Sequence, residues 1–197
     1  MKKSLLLAFV ACLFAVNAEA ADIKPYVSAK AKFTNIRAKA EIIRPVNDET
    51  ALIDNVFGYN VAAGVGIKMA EGALRLEAEY VQNNDAEKKI AGEKVKFRSQ
   101  AAFANAYFDF DTNSNFRPYV GLGFGVAEVK FGNKRKHEFA YNYSAGIGYS
   151  LNDHIAFDLG YRYASYAYFE EKNTITDTKI KYTAYANEIM LGLRLSF

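Results

Sequence analysis

Between Phe57 and Met69 the chain alternates strictly. Phe57, Tyr59, Val61, Ala63, Val65, Ile67 and Met69 fall on one side, and Gly58, Asn60, Ala62, Gly64, Gly66 and Lys68 on the other. Successive side chains of a β-strand point to opposite faces, so this is an amphipathic strand; a helical period of 3.6 would mix the two sets. The pattern recurs. Residues 139 to 151 set Phe139, Tyr141, Tyr143, Ala145, Ile147, Tyr149 and Leu151 against Ala140, Asn142, Ser144, Gly146, Gly148 and Ser150. Residues 155 to 163 set Ile155, Phe157, Leu159, Tyr161 and Tyr163 against Ala156, Asp158, Gly160 and Arg162. At the end of the chain Ile189, Leu191, Leu193, Leu195 and Phe197 oppose Glu188, Met190, Gly192, Arg194 and Ser196. Residues 23 to 33, 73 to 81 and 118 to 127 read similarly. In 95 to 110, Val95 and Phe97 set one phase and Ala102, Ala104, Ala106, Phe108 and Phe110 the other, which predicts a bulge or register change near Ser99.

The fold class that follows is all-β, with eight strands. Beyond Ala20 no run approaches the ~18 apolar residues of a transmembrane helix. Three connections are short (70 to 72, 111 to 115, 152 to 154), and four are longer and polar, near 34 to 56, 82 to 94, 132 to 138 and 166 to 181. Short and long alternate, so an antiparallel up-and-down meander puts all short turns at one end, as in an outer-membrane barrel.

Two barrels fit eight amphipathic strands: a secreted lipocalin-like carrier with its apolar face inward, and a membrane barrel with that face outward. The polar face is unusually small, with Gly58, Gly64, Gly66, Gly121, Gly123, Gly125, Gly146, Gly148, Gly160 and Gly192. A solvated exterior has no need of glycine, whereas the lumen of an eight-stranded barrel has room only for small or interlocking side chains. The aromatics, 14 Tyr and 15 Phe without Trp, agree with a transmembrane β-barrel. Phe33, Phe57, Tyr59, Tyr80, Phe139, Tyr141, Tyr161, Tyr163 and Tyr185 fall toward the long-loop end. Phe108, Phe110, Tyr149, Phe157 and Phe197 fall toward the short-turn end, which makes two interfacial girdles.

Residues 1–20 read as a cleaved signal peptide and 21–197 as the barrel domain. Met1-Lys2-Lys3 is basic, Ser4 to Val16 apolar, and Asn17-Ala18-Glu19-Ala20 offers A-x-A spacing for cleavage after Ala20. The alternative, a lipoprotein signal acylated at Cys12, is poorly matched by Phe9-Val10-Ala11. Cleavage removes Lys2, Lys3, Glu19 and the one Cys, leaving a charge of +2. That excludes disulfides and cysteine chemistry and leaves too little basicity for a nucleic-acid partner.

Ala106-Tyr107-Phe108-Asp109-Phe110-Asp111 with Phe116-Arg117-Pro118-Tyr119-Val120-Gly121-Leu122-Gly123 resembles the fourth and fifth strands of the opacity-type family. These are small outer-membrane barrels that include neisserial surface protein A. Asp158-Leu159-Gly160-Tyr161-Arg162-Tyr163 resembles the family's seventh strand, and Leu191 to Phe197 its closing strand. The resemblance covers the layout of 21 to 197 but only about 30 residues of motif, and none of the long loops. It implies an eight-stranded barrel and often binding of host surfaces or serum proteins. The ending Leu193, Leu195, Phe197 is similar to the signal read by the barrel-assembly machinery.

The lumen face carries Lys30, Lys32, Lys68, Arg75, Glu77, Glu79, Asp158, Arg162, Glu188 and Arg194. Charges cannot face lipid, where Lys or Arg costs roughly 2–4 kcal/mol at midplane. Enclosed charges must pair, so an ion-pair network is expected, with Arg162 and Arg194 opposing Asp158 and Glu188. Its role is either a narrow porin-like channel or a structural plug, and the width of an eight-stranded lumen favours the plug. Gly121-Leu122-Gly123-Phe124-Gly125 lies within a strand, without the helix and Lys of a phosphate loop. His154 lies in a short turn and His137 beside Lys136 and Glu138; neither has a Ser two residues on, so no enzyme, metal site or cofactor is expected. The basic run at Lys134, Arg135 and Lys136 suits lipopolysaccharide phosphates or an anionic host or matrix ligand. The apolar residues of 34 to 56 (Ile36, Ile42, Ile43, Val46, Leu52, Ile53) either dock a partner or extend the barrel wall. The expected role is a non-enzymatic outer-membrane barrel acting structurally or through its four loops.

Overall fold

A computed structural model describes the backbone of residues 23–42, 48–84, 86–90, 93–131, 134–173 and 178–197. The proposed signal peptide and its cleavage site lie outside these residues. The strands are β1 (Ile23–Ile42), β2 (Asp48–Met69), β3 (Gly72–Asn83), β4 (Ala86–Ile90), β5 (Glu93–Phe110), β6 (Phe116–Phe131), β7 (Lys134–Ser150), β8 (Ile155–Asn173) and β9 (Thr178–Ser196). All neighbours are antiparallel, β1 pairs with β9, and β3 pairs with β5, so the sheet closes. β3 and β4 share the side of β5 and together form the third of eight staves. Closure removes the free edges that would otherwise template aggregation.

Alternation places the apolar face outside. Phe57, Tyr59, Phe124, Phe139, Leu159, Ile189 and Leu191 are among the most exposed side chains, which rules out the lipocalin-like arrangement. Aromatics meet in pairs at both ends of this face. Phe33–Phe57 and Tyr163–Tyr185 lie toward the long-strand end, and Phe108–Phe110 and Phe116–Tyr149 toward the short turns.

Above the upper aromatics the outer face carries polar side chains on several staves. Asn35 donates to Asn55 at 2.8 Å, and Tyr161 donates to Asn187 at 2.6 Å. Further round, the Tyr80 hydroxyl lies 2.9 Å from the Oε1 atoms of both Gln82 and Gln100, Gln100 donates to Glu128 at 2.9 Å, and His137 lies 3.5 Å from Glu128. This belt marks where the outer face leaves hydrocarbon.

Two expectations change. The stretches expected as long loops are mostly strand: β1 and β2 pair through Ile42↔Asp48, β6 and β7 through Phe131↔Lys134, and β8 and β9 through Asn173↔Thr178. Beyond the membrane both faces are solvated, so backbone pairing continues without the apolar alternation that reveals it. Residues 34–42 and 48–56 therefore extend the wall, and Ile43 and Val46 lie outside the described residues. Secondly, β5 holds one register against β6 through Ser99. The apparent phase change arises because the lumen face itself turns apolar there, at Ala101 and Phe103. The register shift lies instead between Ser165 and Ala167 on β8. Ala164, Ser165 and Tyr166 are consecutively buried there, as one extra residue in a bulge permits.

Glycine is required where lumenal rings press on the wall. A Cβ at Gly121 would overlap the Tyr107 ring, and one at Gly160 the Tyr119 hydroxyl.

Candidate functional site

The lumen is the site, and its floor lies near the short turns. Arg75 grips Asp109 with two nitrogens, at 2.8 Å from Nε to Oδ2 and 2.8 Å from Nη2 to Oδ1. Arg194 bridges Asp109 at 3.4 Å and Asp158 at 3.2 Å. Tyr107 and Tyr119 stand 4.7 and 5.0 Å from the Arg75 guanidinium, and Tyr26 lies 5.8 Å from that of Arg194. The rings thus supply π faces to cations withdrawn from water.

One level up, Lys30 lies 3.5 Å from Glu77 and 3.9 Å from Glu79. Tyr26 donates to Glu77 at 3.1 Å. Asn60 and Asn105 donate to Glu79 at 2.8 and 2.9 Å, and Arg162 Nη2 lies 2.8 Å from both of its oxygens. Above them Lys32 donates to Glu188 at 2.7 Å, Tyr166 donates to the same oxygen, and Arg162 Nη1 stands 3.8 Å from Glu188 Oε2. Arg162 and Glu188 are wholly buried.

Five cations (Lys30, Lys32, Arg75, Arg162, Arg194) and five anions (Glu77, Glu79, Asp109, Asp158, Glu188) are thereby buried together. The column is formally neutral. Its shape follows from strand period and depth: every second residue of each stave points in, so charges meet between adjacent staves, as Arg75 and Asp109 do, and across the lumen, as Arg162 and Glu79 do.

The column ends in an apolar layer. Ile36, Val56, Val81, Ala101, Phe103, Ala127, Val129, Ala140, Ala164, Tyr166, Ala184 and Ala186 form one buried cluster. Phe103 packs on Tyr166 with centroids 6.3 Å apart and faces the Arg162 guanidinium at 5.9 Å. The bulge in β8 is what delivers Tyr166 to this place, where its ring caps the apolar layer and its hydroxyl reaches Glu188.

Most of the charges named from sequence meet in this column, but Lys68 does not: it is exposed at the lower mouth. Asp109 was missed, as were the lumenal rings Tyr26, Tyr107, Tyr119 and Tyr166. Asp109 shares the phase of Asn105 and Tyr107 against Phe108 and Phe110, and that phase was the available signal. Arg162 faces Glu188 on the neighbouring strand, yet its shortest contacts go across the lumen to Glu79. Lys134, Arg135 and Lys136 begin strand β7 rather than forming a loop. The side chains of Lys134 and Arg135 lie outside the described residues, and Lys136 is half-buried. Leu193, Leu195 and Phe197 are exposed on the outer face, and Phe197 donates its N–H to the Pro25 carbonyl at 2.9 Å. His154 rests its Nδ1 3.0 Å from the Ser196 carbonyl. Among the described residues no cluster of His and acidic side chains is placed to hold a metal.

A model of the outer membrane protein beta-barrel domain matches residues 5–197. Outer membrane protein PagN of Salmonella typhimurium is 26% identical over 190 residues, which cover 77% of this chain and 79% of PagN. The crystal structure of neisserial surface protein A superposes with a TM-score of 0.54 at 22% identity, over 88% of this chain and 97% of that one. That of OprG from Pseudomonas aeruginosa superposes with a TM-score of 0.62 at 15% identity, over 89% and 97%. At these identities the two structures speak for the fold.

Proposed function

We propose that this chain, which belongs to the outer membrane protein β-barrel domain family and resides in a Gram-negative outer membrane, is a closed, non-enzymatic barrel that works through its outer surface. The observation that carries this reading is the filled lumen: a neutral ion-pair column beneath a layer of Ile36, Val56, Val81, Phe103, Val129 and Tyr166. An ion crossing that layer would shed most of its hydration with only Thr34, Asn83, Ser99 and the Tyr166 hydroxyl buried at that level, at a cost of several kcal/mol. The column acts as a plug that ties all staves together.

Work at the cell surface then falls to the wall above the polar belt. β1, β2, β8 and β9 run well past Asn35, Asn55 and Asn187 and present Arg37, Ile53 and Tyr168, and β7 starts in the basic run from Lys134. Cations at that height suit lipopolysaccharide phosphates and anionic ligands of a host surface or matrix. Assembly through the barrel-assembly machinery, directed by Leu193, Leu195 and Phe197, belongs to the same reading.

Planar-bilayer recording of the purified protein tests the plug. The expected trace is silent; stable single-step conductance overturns the closed barrel in favour of a narrow channel. Capture of host material by intact cells, compared between wild type and a variant shortened across 38–53 and 169–182, tests the surface role, which falls if the two capture equally.

A further inference from the structure

The lower mouth of the barrel holds charges that the ion-pair column leaves unused. A cavity of about 440 Å³ opens there among the short turns. Arg75 and Arg194 form its ceiling and are committed to Asp109 and Asp158. Lys24 on β1, Lys68 on β2 and Arg117 on β6 line its sides. All three are exposed, and none forms an ion pair with a described residue. Their neighbours across the sheet are small: Lys24 pairs with Gly66, Lys68 with Ala73, and Arg117 with Gly148. Three cations from separate staves therefore surround one space that no side chain fills.

Two acids at the rim, Asp111 and Asp153, offset part of this and leave the mouth with one net positive charge. Asp111 accepts the Asn113 backbone N–H at 3.2 Å and is held in its own turn, while Asp153 belongs to the turn before β8. The column above is neutral and offers no opposing field. Outside, Leu151, Leu195, Phe116 and Tyr149 face lipid around the same level. A charged cleft with low-dielectric walls focuses its field into the opening.

We propose that this vestibule binds a small oligoanion with two or more carboxylate or phosphate charges, entering from the periplasmic side. One exposed ion pair is worth only about 0–1 kcal/mol, so a monoanion gains little from any single cation here. An oligoanion can engage Lys24, Lys68 and Arg117 together. The volume falls within the ~300–1,000 Å³ of small-ligand sites. The site holds whether or not the lumen conducts.

Calorimetry on the full barrel in lipid nanodiscs tests this, with pyrophosphate and citrate as probes. Binding of at least one is expected, weakening as salt rises. Replacing all three cations (Lys24→Gln, Lys68→Gln, Arg117→Gln) should lower affinity about tenfold or more, the combined loss of three exposed contacts. Lys181→Gln, on β9 toward the opposite end, should leave it unchanged. Heat-modifiable gel mobility checks that each variant is folded. Pyrophosphate alone would assign a phosphate ligand, citrate alone a carboxylate, and both a site read by charge. No binding of either probe, or equal binding by the folded triple variant, overturns the proposal.

Discussion

Arg162→Met is the sharpest probe of the column, because Arg162 is wholly buried and spans two acids. The substitution keeps much of the volume and removes the charge. Glu79 keeps Asn60 and Asn105 as donors and Lys30 at 3.9 Å; Glu188 keeps Lys32 and Tyr166. Neither acid is stripped of partners, so the cost belongs at the lower end of the roughly 3–5 kcal/mol for breaking a buried pair. About 3 kcal/mol is a little over a hundredfold in the folding equilibrium. With a urea slope of about 1–3 kcal/mol/M, the unfolding midpoint should fall by about 1–3 M. The chain has no Trp, so folded and unfolded fractions in lipid vesicles are best read as heat-modifiable bands on a gel.

Charge balance supplies the control. Glu79→Gln should destabilise comparably, since it leaves Arg162 only the 3.8 Å approach to Glu188. The double variant Arg162→Met, Glu79→Gln removes one charge of each sign and restores neutrality. It should therefore cost less than the sum of the singles, by about 0.5–3 kcal/mol. A midpoint for Arg162→Met equal to wild type, or strictly additive costs in the double variant, would refute the idea that paired charge stabilises this lumen.

Gly160→Val should be strongly destabilising, by about 1–3 kcal/mol from overpacking, because its Cβ meets the Tyr119 hydroxyl; Tyr119→Phe in the same chain should relieve part of the loss in the same urea titration. Tyr166→Phe removes a donor to Glu188 and should lower stability by about 1–3 kcal/mol while leaving the bilayer trace silent, since the ring still caps the column. N-terminal sequencing of protein recovered from outer membranes should begin at Ala21, and a start elsewhere would move the signal-peptide boundary.

What could be read in the sequence was whatever the bilayer enforces. Where one face meets lipid and the other a narrow lumen, alternation is strict, and 57 to 69 or 155 to 163 declare their strands and facing unaided. Above the belt the constraint lapses. The pairing of Glu41 with Glu49, or Lys172 with Lys179, rests on backbone hydrogen bonds that any residue can make, so the wall looked like loop. The bulge at Ser165 was hidden for the same reason, and with it the inward turn of Tyr166. Cross-lumen partners were illegible on a different ground: Arg162 and Glu79 lie 83 positions apart, and period two says that both point inward without saying which charges meet.

Charge counting would have recovered part of this. The lumenal set drawn from sequence held six cations and four anions, an imbalance a low-dielectric interior does not tolerate. Moving Lys68 to the mouth and adding Asp109 gives five of each. The same operation explains the barrel's polarity. Cations matched to acids withdraw into the column, and those without a match, Lys24, Lys68 and Arg117, collect where water can reach them. Apolar residues close the opposite end, where β8 bulges. On the closed-barrel proposal, one end of the lumen is filled by packing and the other left wet and positive, so a ligand of the interior would come from the periplasmic side and contacts with the cell's surroundings would fall to the wall.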